Sequence, residues 1–89
     1  MGLQEEFKQN SDKVKKLKER PSNDELLSLY AHYKQATDGD ASGSRPGMFN
    51  LKERAKWDAW AAIKGVSKDK AMEKYNQIVT GLIKKLGSN

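Results

Sequence analysis

Eighty-nine residues, 17 Lys and Arg against 12 Asp and Glu, a net charge of +5 and no cysteine bound the chain to one small domain, residues 1–89, with a limited core. They exclude a disulfide framework and a thiolate zinc site. The basic balance favours anionic partners (nucleic acid, acidic membranes or phosphorylated small molecules), and charge alone does not choose among them.

The first predicted helix covers residues 4–18, with Phe7, Val14 and Leu17 on one face, and Pro21 forbids its continuation. Ser22-Asn23-Asp24-Glu25 then reads as a capping box. It opens a second helix from about 23 to 38 that turns Leu26, Leu27, Leu29, Tyr30 and Tyr33 inward or partly inward, with Gly39 as its left-handed terminator. From Gly39 to Asn50 turn residues follow without a period, so this is one long connection. Arg45-Pro46-Gly47 supplies turn chemistry there, and Met48 and Phe49 are expected to close the loop over the bundle. Asn50 and Glu53 start a third helix that ends at Gly65. Ser67 caps a fourth, in which Ala71, Met72, Tyr75, Ile78, Val79, Leu82 and Leu86 recur at helical spacing. Gly81 interrupts it at a cost of about 1 kcal/mol relative to Ala. Strand-like alternation is missing throughout. Apolar runs are too short for a membrane span or a signal-peptide core, and Glu6 stands where a myristoylation signal wants Ser or Thr. The pattern predicts an all-α, four-helix domain whose long connection between helices 2 and 3 lets two neighbours run parallel.

The sequence holds no glycine-rich phosphate cradle, HExxH pair or calcium-loop pattern. What it does hold is lysine set among aromatic rings. Tyr30, Tyr33 and Lys34 share one face of the second helix, with Leu26 and Leu27 a turn earlier. Lys52 and Lys56 project together from the third, while Lys15 lies on the first and Tyr75 on the fourth. Converging, these surfaces would make a bowl with cationic rims, phenolic donors and an apolar floor, suited to a phosphorylated ligand with a flat or greasy body. The same spacings also fit core tyrosines and a solvated lysine face. Trp57 and Trp60, three apart, read as large core anchors between helices ahead of ligand platforms, with partial ligand contact open for Trp57. His32 sits between two tyrosines, but no Ser, Cys or carboxylate stands at a diagnostic distance for catalysis.

Tyr30-x-x-Tyr33-Lys34-Gln35-Ala36-Thr37-x-Gly39-Asp40, then Arg45-Pro46-Gly47-Met48, then Lys56-Trp57-Asp58-Ala59-Trp60 resemble the signature of acyl-CoA-binding proteins. The similarity runs from Phe7 to the last helix. It implies an up-down-down-up four-helix bundle that binds long-chain acyl-CoA reversibly without cleaving it: no enzyme, no cofactor, no metal. It further implies a cytoplasmic monomer that meets acyl-CoA-using enzymes or membrane surfaces transiently and does not bind nucleic acid. By position, Tyr30, Lys34 and Lys56 match contacts to the adenine and 3′-phosphate. Lys15, Tyr33, Lys52 and Tyr75 match further ligand contacts, with Ala31 and His32 inside the contacting segment. Leu26 and Leu27 match acyl-chain contacts. Asn10 and Ser11 replace small apolar residues, Leu51 replaces a common Phe, Leu26 a frequent Met, and Gly81 is unusual. These departures are expected nearer the acyl chain than the nucleotide. Two other classes compete: a small thioesterase using His32, and a basic helical module for nucleic acid or membrane surfaces, which would bind phosphates with a steep salt dependence.

Overall fold

The computed structural model describes residues 2–88 and holds four helices: α1 Leu3–Lys13, α2 Asn23–Asp38, α3 Leu51–Ala61 and α4 Lys68–Leu86. Among the described residues no strand forms; Leu17 and Ser88 make one isolated antiparallel bridge. Local chemistry sets several boundaries where the sequence places them. Ser22 Oγ accepts from the Glu25 N–H at 3.2 Å, and the Ser22 N–H donates to the Glu25 carboxylate at 2.8 Å. That backbone donor, with Lys85 reaching over from α4, holds Glu25 below the usual carboxylate range. Ser67 caps α4 by accepting from the Lys70 N–H. Gly39 ends α2 at φ 85°, ψ −150°, a region essentially closed to side chains with a Cβ. The chain leaves α2 extended there, instead of curling in the left-handed form.

Tertiary contacts set the other ends. α1 stops at Lys13, gives way to a single 3-10 turn over Val14–Lys16, and is extended by Leu17. The helix expected to reach residue 18 is cut short because the Lys18 N–H donates to the Gly87 carbonyl at 3.1 Å. α3 begins after Asn50 as expected, although the Asn50 side chain makes no cap. Beyond Ala61 it tightens into i→i+3 turns, with Ile63 bonded to Trp60 and Lys64 to Ala61, before reaching Gly65.

The core gathers Phe7, Leu29, Ala36, Ala71, Met72, Tyr75, Val79 and Leu82. Most of it lies on α4, which packs between α1 and α2; α3 packs on α2 alone, away from α1 and α4. Asn10, buried on α1, donates to Asn76 Oδ1 of α4 at 2.8 Å, so it belongs to that interface and not to a ligand groove. Gly81 also lies on the α1–α4 side, beside Leu3 and Lys84.

The C-terminal ends of α2 and α3 are bonded together. Asp40 accepts from Gln35 Nε2 at 2.7 Å and from the Gly65 N–H at 2.8 Å, and Trp60 Nε1 donates to the Gly39 carbonyl at 2.8 Å. At the other ends Asn23 and Leu26 face Leu51 and Lys52. The two helices are therefore parallel, while Lys85 on Glu25 and the Val66 carbonyl on Gln35 set α4 antiparallel to α2. This is the up-down-down-up order.

The long connection does not close over the bundle through Met48 and Phe49, which are 74% and 102% exposed. A turn closed by the Asn50 N–H on the Gly47 carbonyl puts both at its apex. The loop is held instead by Arg45, whose guanidinium grips both Asp58 oxygens at 2.8 and 2.6 Å, and by Trp57 Nε1 on the Ser42 carbonyl.

Replacing Ser22 by Ala removes one half of the capping box. It should cost about 1 kcal/mol, lowering Tm by about 4–8 °C with secondary structure unchanged well below the transition; a Tm equal to that of the unaltered protein would mean the cap contributes nothing.

A cleft of lysines and rings between the second and third helices

Because α2 and α3 are parallel, their side chains meet in register. Tyr30 and Lys34 are four apart on α2; Lys56 and Trp60 are four apart on α3. Lys56 Nζ stands 5.4 Å from the centroid of Tyr30, and Lys34 Nζ stands 5.0 Å from that of Trp60. Each lysine thus sits over a ring of the opposite helix. An antiparallel pairing would have set Lys34 against Lys56. The ring faces attract the ammonium groups and orient them without neutralising them.

Each cation also has a carboxylate on its own helix. Lys34 is in a close ion pair with Asp38; that hydrogen bond raises the Lys34 pKa and holds Asp38 below the usual range. Lys56 reaches Glu53 at 3.4 Å. Both pairs lie at the surface, where solvent screening makes such pairs weak, so an incoming phosphate can replace either carboxylate at little cost.

N-terminal to these pairs, α2 and α3 enclose a cleft of about 430 Å³. Leu26, Leu27 and Tyr30 form one wall and Leu51, Lys52, Ala55 and Lys56 the other, with Arg20 and Asn23 at the end. Leu26 and Tyr30 also line a smaller neighbouring cleft of about 280 Å³, shared with Val14, Pro21, Leu29, Tyr33 and Tyr75. There Phe7 stacks on Tyr33 at 5.4 Å and meets Tyr75 edge-on at 5.0 Å, joining α1 to α2 and α4 through rings. Tyr75 is buried, and burial pushes its phenol up to about 12, helped by Tyr33. It stays a neutral hydroxyl at any physiological pH.

A larger open groove of about 640 Å³ between α1 and α4 carries Glu6 and Glu73 on its walls. Those carboxylates outnumber its one lining cation, Lys84, and would repel a phosphate, and among the described residues the lysine–ring pairs lie between α2 and α3. We place the candidate site at the α2–α3 cleft.

Of the residues singled out from sequence, Leu26, Leu27, Tyr30, Lys52 and Lys56 line this cleft, and Lys34 continues its lysine–ring row. Tyr33 and Tyr75 stand in the adjoining cleft. Lys15 is exposed on the 3-10 turn, next in the chain to Val14. Ala31 and His32 are not brought to the cleft. Ala31 is 2% exposed within the fold. His32 faces Val66, Lys70 and Glu73, with Nδ1 at 2.8 Å from the Ser28 carbonyl of its own helix; that nitrogen must carry the proton and donate. Trp60 is a buried anchor and Trp57 a half-buried brace for the loop. Arg20 and Ala55 are cleft residues that the sequence reading passed over. The signal for Arg20 was its place before Pro21, which turns the chain into α2 and carries the arginine to the cleft's end.

A model of the family described as acyl-CoA-binding protein matches residues 4–79. Among curated relatives, an acyl-CoA-binding protein of Brassica napus is 60% identical over 75 residues, 84% of this chain and 82% of that one. One of Gossypium hirsutum is 53% identical over the full length of both chains. The crystal structure of acyl-CoA-binding protein 2 of Oryza sativa superposes with a TM-score of 0.91 at 50% identity, covering 96% of this chain and 92% of that one. A four-helix fold with a cationic, ring-lined cleft and relatives this similar leave one assignment. The chain belongs to the acyl-CoA-binding protein family.

The raised Tyr75 pKa carries a stability consequence. Between the ordinary phenol value of 10.0 and about 12 the folded chain keeps a proton that the unfolded chain loses, so this contribution is complete below pH 10.0 and is lost as pH rises toward 12. Denaturant titrations across that range should show stability falling more steeply in the unaltered protein than in Tyr75→Phe. Parallel slopes would mean that the phenol is not shielded.

Proposed function

We propose that this chain is a non-catalytic carrier and buffer of long-chain acyl-CoA, acting in the cytoplasm as a monomer and delivering thioesters to enzymes or membranes. The observation that carries the reading is the apolar cleft ending in the crossed Lys56–Tyr30 and Lys34–Trp60 pairs. One amphiphile needs both halves. The acyl chain would lie against Leu26, Leu27 and Leu51, while Lys34, Lys52 and Lys56 receive the phosphates and Tyr30 offers a face for the adenine. Lys15, Tyr33 and Tyr75 would complete the head-group contacts from the adjoining side. A neutral Tyr75 hydroxyl suits donation to a carbonyl or phosphate oxygen. Ala31 and His32 act in this scheme by holding the contacting segment of α2 in place. No cofactor or metal enters it, and nucleic acid is not its ligand.

The two halves of the ligand divide the work. Each methylene removed from water is worth about 0.8 kcal/mol, so a chain of about fourteen methylenes offers at most about 11 kcal/mol. Each lysine adds far less affinity than the whole acyl chain; together they select the head group and speed the encounter of a basic protein with a polyanion. In this scheme His32 takes no part in thioester cleavage. His32, the ring nitrogen base of the chain, donates to its own helix and faces away from the cleft.

Calorimetric titration with palmitoyl-CoA, CoA and palmitate in parallel tests the scheme. The thioester should bind one to one and at least about a hundredfold more tightly than either fragment, with no thiol released. Equal affinity for free palmitate, or thiol release above background, would overturn it. Within the same scheme Lys56→Ala should weaken palmitoyl-CoA by about tenfold and leave the 3′-dephospho analogue within about twofold of its affinity for the unaltered protein. Equal losses on both ligands would move the 3′-phosphate away from Lys56.

A further inference from the structure

We infer that the turn before α3 and the cationic rim beside it form a docking surface for an anionic lipid bilayer. Met48, Phe49 and Leu51 are 74%, 102% and 73% exposed, three large apolar side chains within four residues. Scattered apolar residues on a surface are ordinary; a contiguous tip of them marks a contact. The turn holds the tip out. With the Asn50 N–H bonded to the Gly47 carbonyl at 3.1 Å, Met48 and Phe49 occupy the two central positions that turns usually give to Gly, Asn, Asp or Pro. Neither side chain belongs to the core cluster or packs against it. Arg45, clamped on Asp58, and Trp57, bonded to Ser42, fix the base from which the turn projects.

Charge selects the occupant. Leu51 shares the mouth of the cleft with the cations Arg20, Lys52 and Lys56. The nearest carboxylates on α3, Glu53 and Asp58, are engaged by Lys56 and Arg45. An apolar tip flanked by lysine and arginine matches the boundary of a bilayer with acidic headgroups, where the tip enters the acyl layer and the cations meet phosphates. A protein groove would seat the tip without answering those cations. Leu51 belongs to the tip and to the cleft wall alike, so the docked protein would present the cleft to the bilayer. Use of that contact for loading or unloading an acyl chain rests on the carrier reading; docking itself does not.

The test uses ligand-free protein, co-sedimented with vesicles of phosphatidylcholine alone or with about 30 mol% phosphatidylserine. It is run beside the double variant Met48→Ser/Phe49→Ser, whose altered residues do not line the cleft. Palmitoyl-CoA affinity of both is measured without vesicles. The unaltered protein should bind the anionic vesicles, and neutral vesicles or the double variant should each reduce binding by about tenfold, with palmitoyl-CoA affinity of the variant within about twofold. No adsorption of the unaltered protein would overturn the proposal and leave the tip to a protein partner. Equal adsorption of protein and variant would reduce the contact to charge and overturn the role of the turn. A variant that keeps its vesicle binding but loses palmitoyl-CoA would make the turn part of the ligand site, which also overturns it. Should the unaltered protein adsorb through the turn yet fail to bind palmitoyl-CoA, docking stands and the carrier reading falls.

Discussion

Asp40 follows the glycine that ends α2, and its carboxylate accepts from Gln35 on the helix behind it and from the backbone of Gly65 beyond α3. Gln35, 1% exposed, spends its other amide hydrogen on the Val66 carbonyl at the entry to α4. Two segments that are distant in sequence, the end of α2 and the turn between α3 and α4, are thus tied at one carboxylate and one amide. The Gly65 N–H, with Gln35, holds Asp40 below the usual carboxylate range. This junction brings the C-terminal ends of α2 and α3 together, and a 12-residue connection makes the return that a parallel pair requires. Gly39 permits it, since its backbone conformation is one that a residue with a Cβ avoids.

Parallel orientation is what gives the cleft its chemistry. Tyr30 precedes Lys34 by one turn, and Lys56 precedes Trp60 by one turn. Only with both helices pointing the same way does each ammonium find a ring opposite it. Four residues therefore encode both a packing preference and a cationic row. Their nearby carboxylates, Asp38 and Glu53, pair with the row from its own helices, and both pairs lie at the surface, where they are weak.

Much of this was legible from local sequence. The capping box at Ser22 and Glu25, the Ser67 cap, the glycine at 39 and the apolar period of α4 are short-range signals, and each appears where expected. The row of Tyr30, Lys34 and Lys56 was legible as spacing, although whether those faces converge is a tertiary fact. Most of what escaped the sequence was non-local. α1 ends early because Lys18 bonds to Gly87, sixty-nine positions away. Asn10 reads as a polar intruder on an apolar face until Asn76 is found against it. Met48 and Phe49 read as buried by composition, yet a backbone bond between Gly47 and Asn50 decides their direction. Arg45 read as part of a turn, and its grip on Asp58 depends on how the loop crosses α3.

The division of labour among the helices explains why so small a chain can keep an open apolar cleft. α4 concentrates the buried residues and binds α1 and α2 to one another. α2 must serve two neighbours: Leu29 and Ala36 go to the core, and Leu26, Leu27 and Tyr30 stay half-buried facing α3. α3 needs little core of its own, since Trp60 is its one buried residue. It is anchored at its far end through Trp60 and Asp40 and left apart from α2 at the near end, where Leu51 remains exposed. Closing that near end would bury more apolar surface, but it would carry Lys52 and Lys56 toward Arg20 across a cleft whose walls hold no carboxylate, leaving Glu53 on α3, paired with Lys56, as the near counter-charge. Repulsion and desolvation oppose the closure that the hydrophobic effect favours. The cleft stays open for the same reason that it suits an amphiphile: its walls are apolar and its rim is cationic.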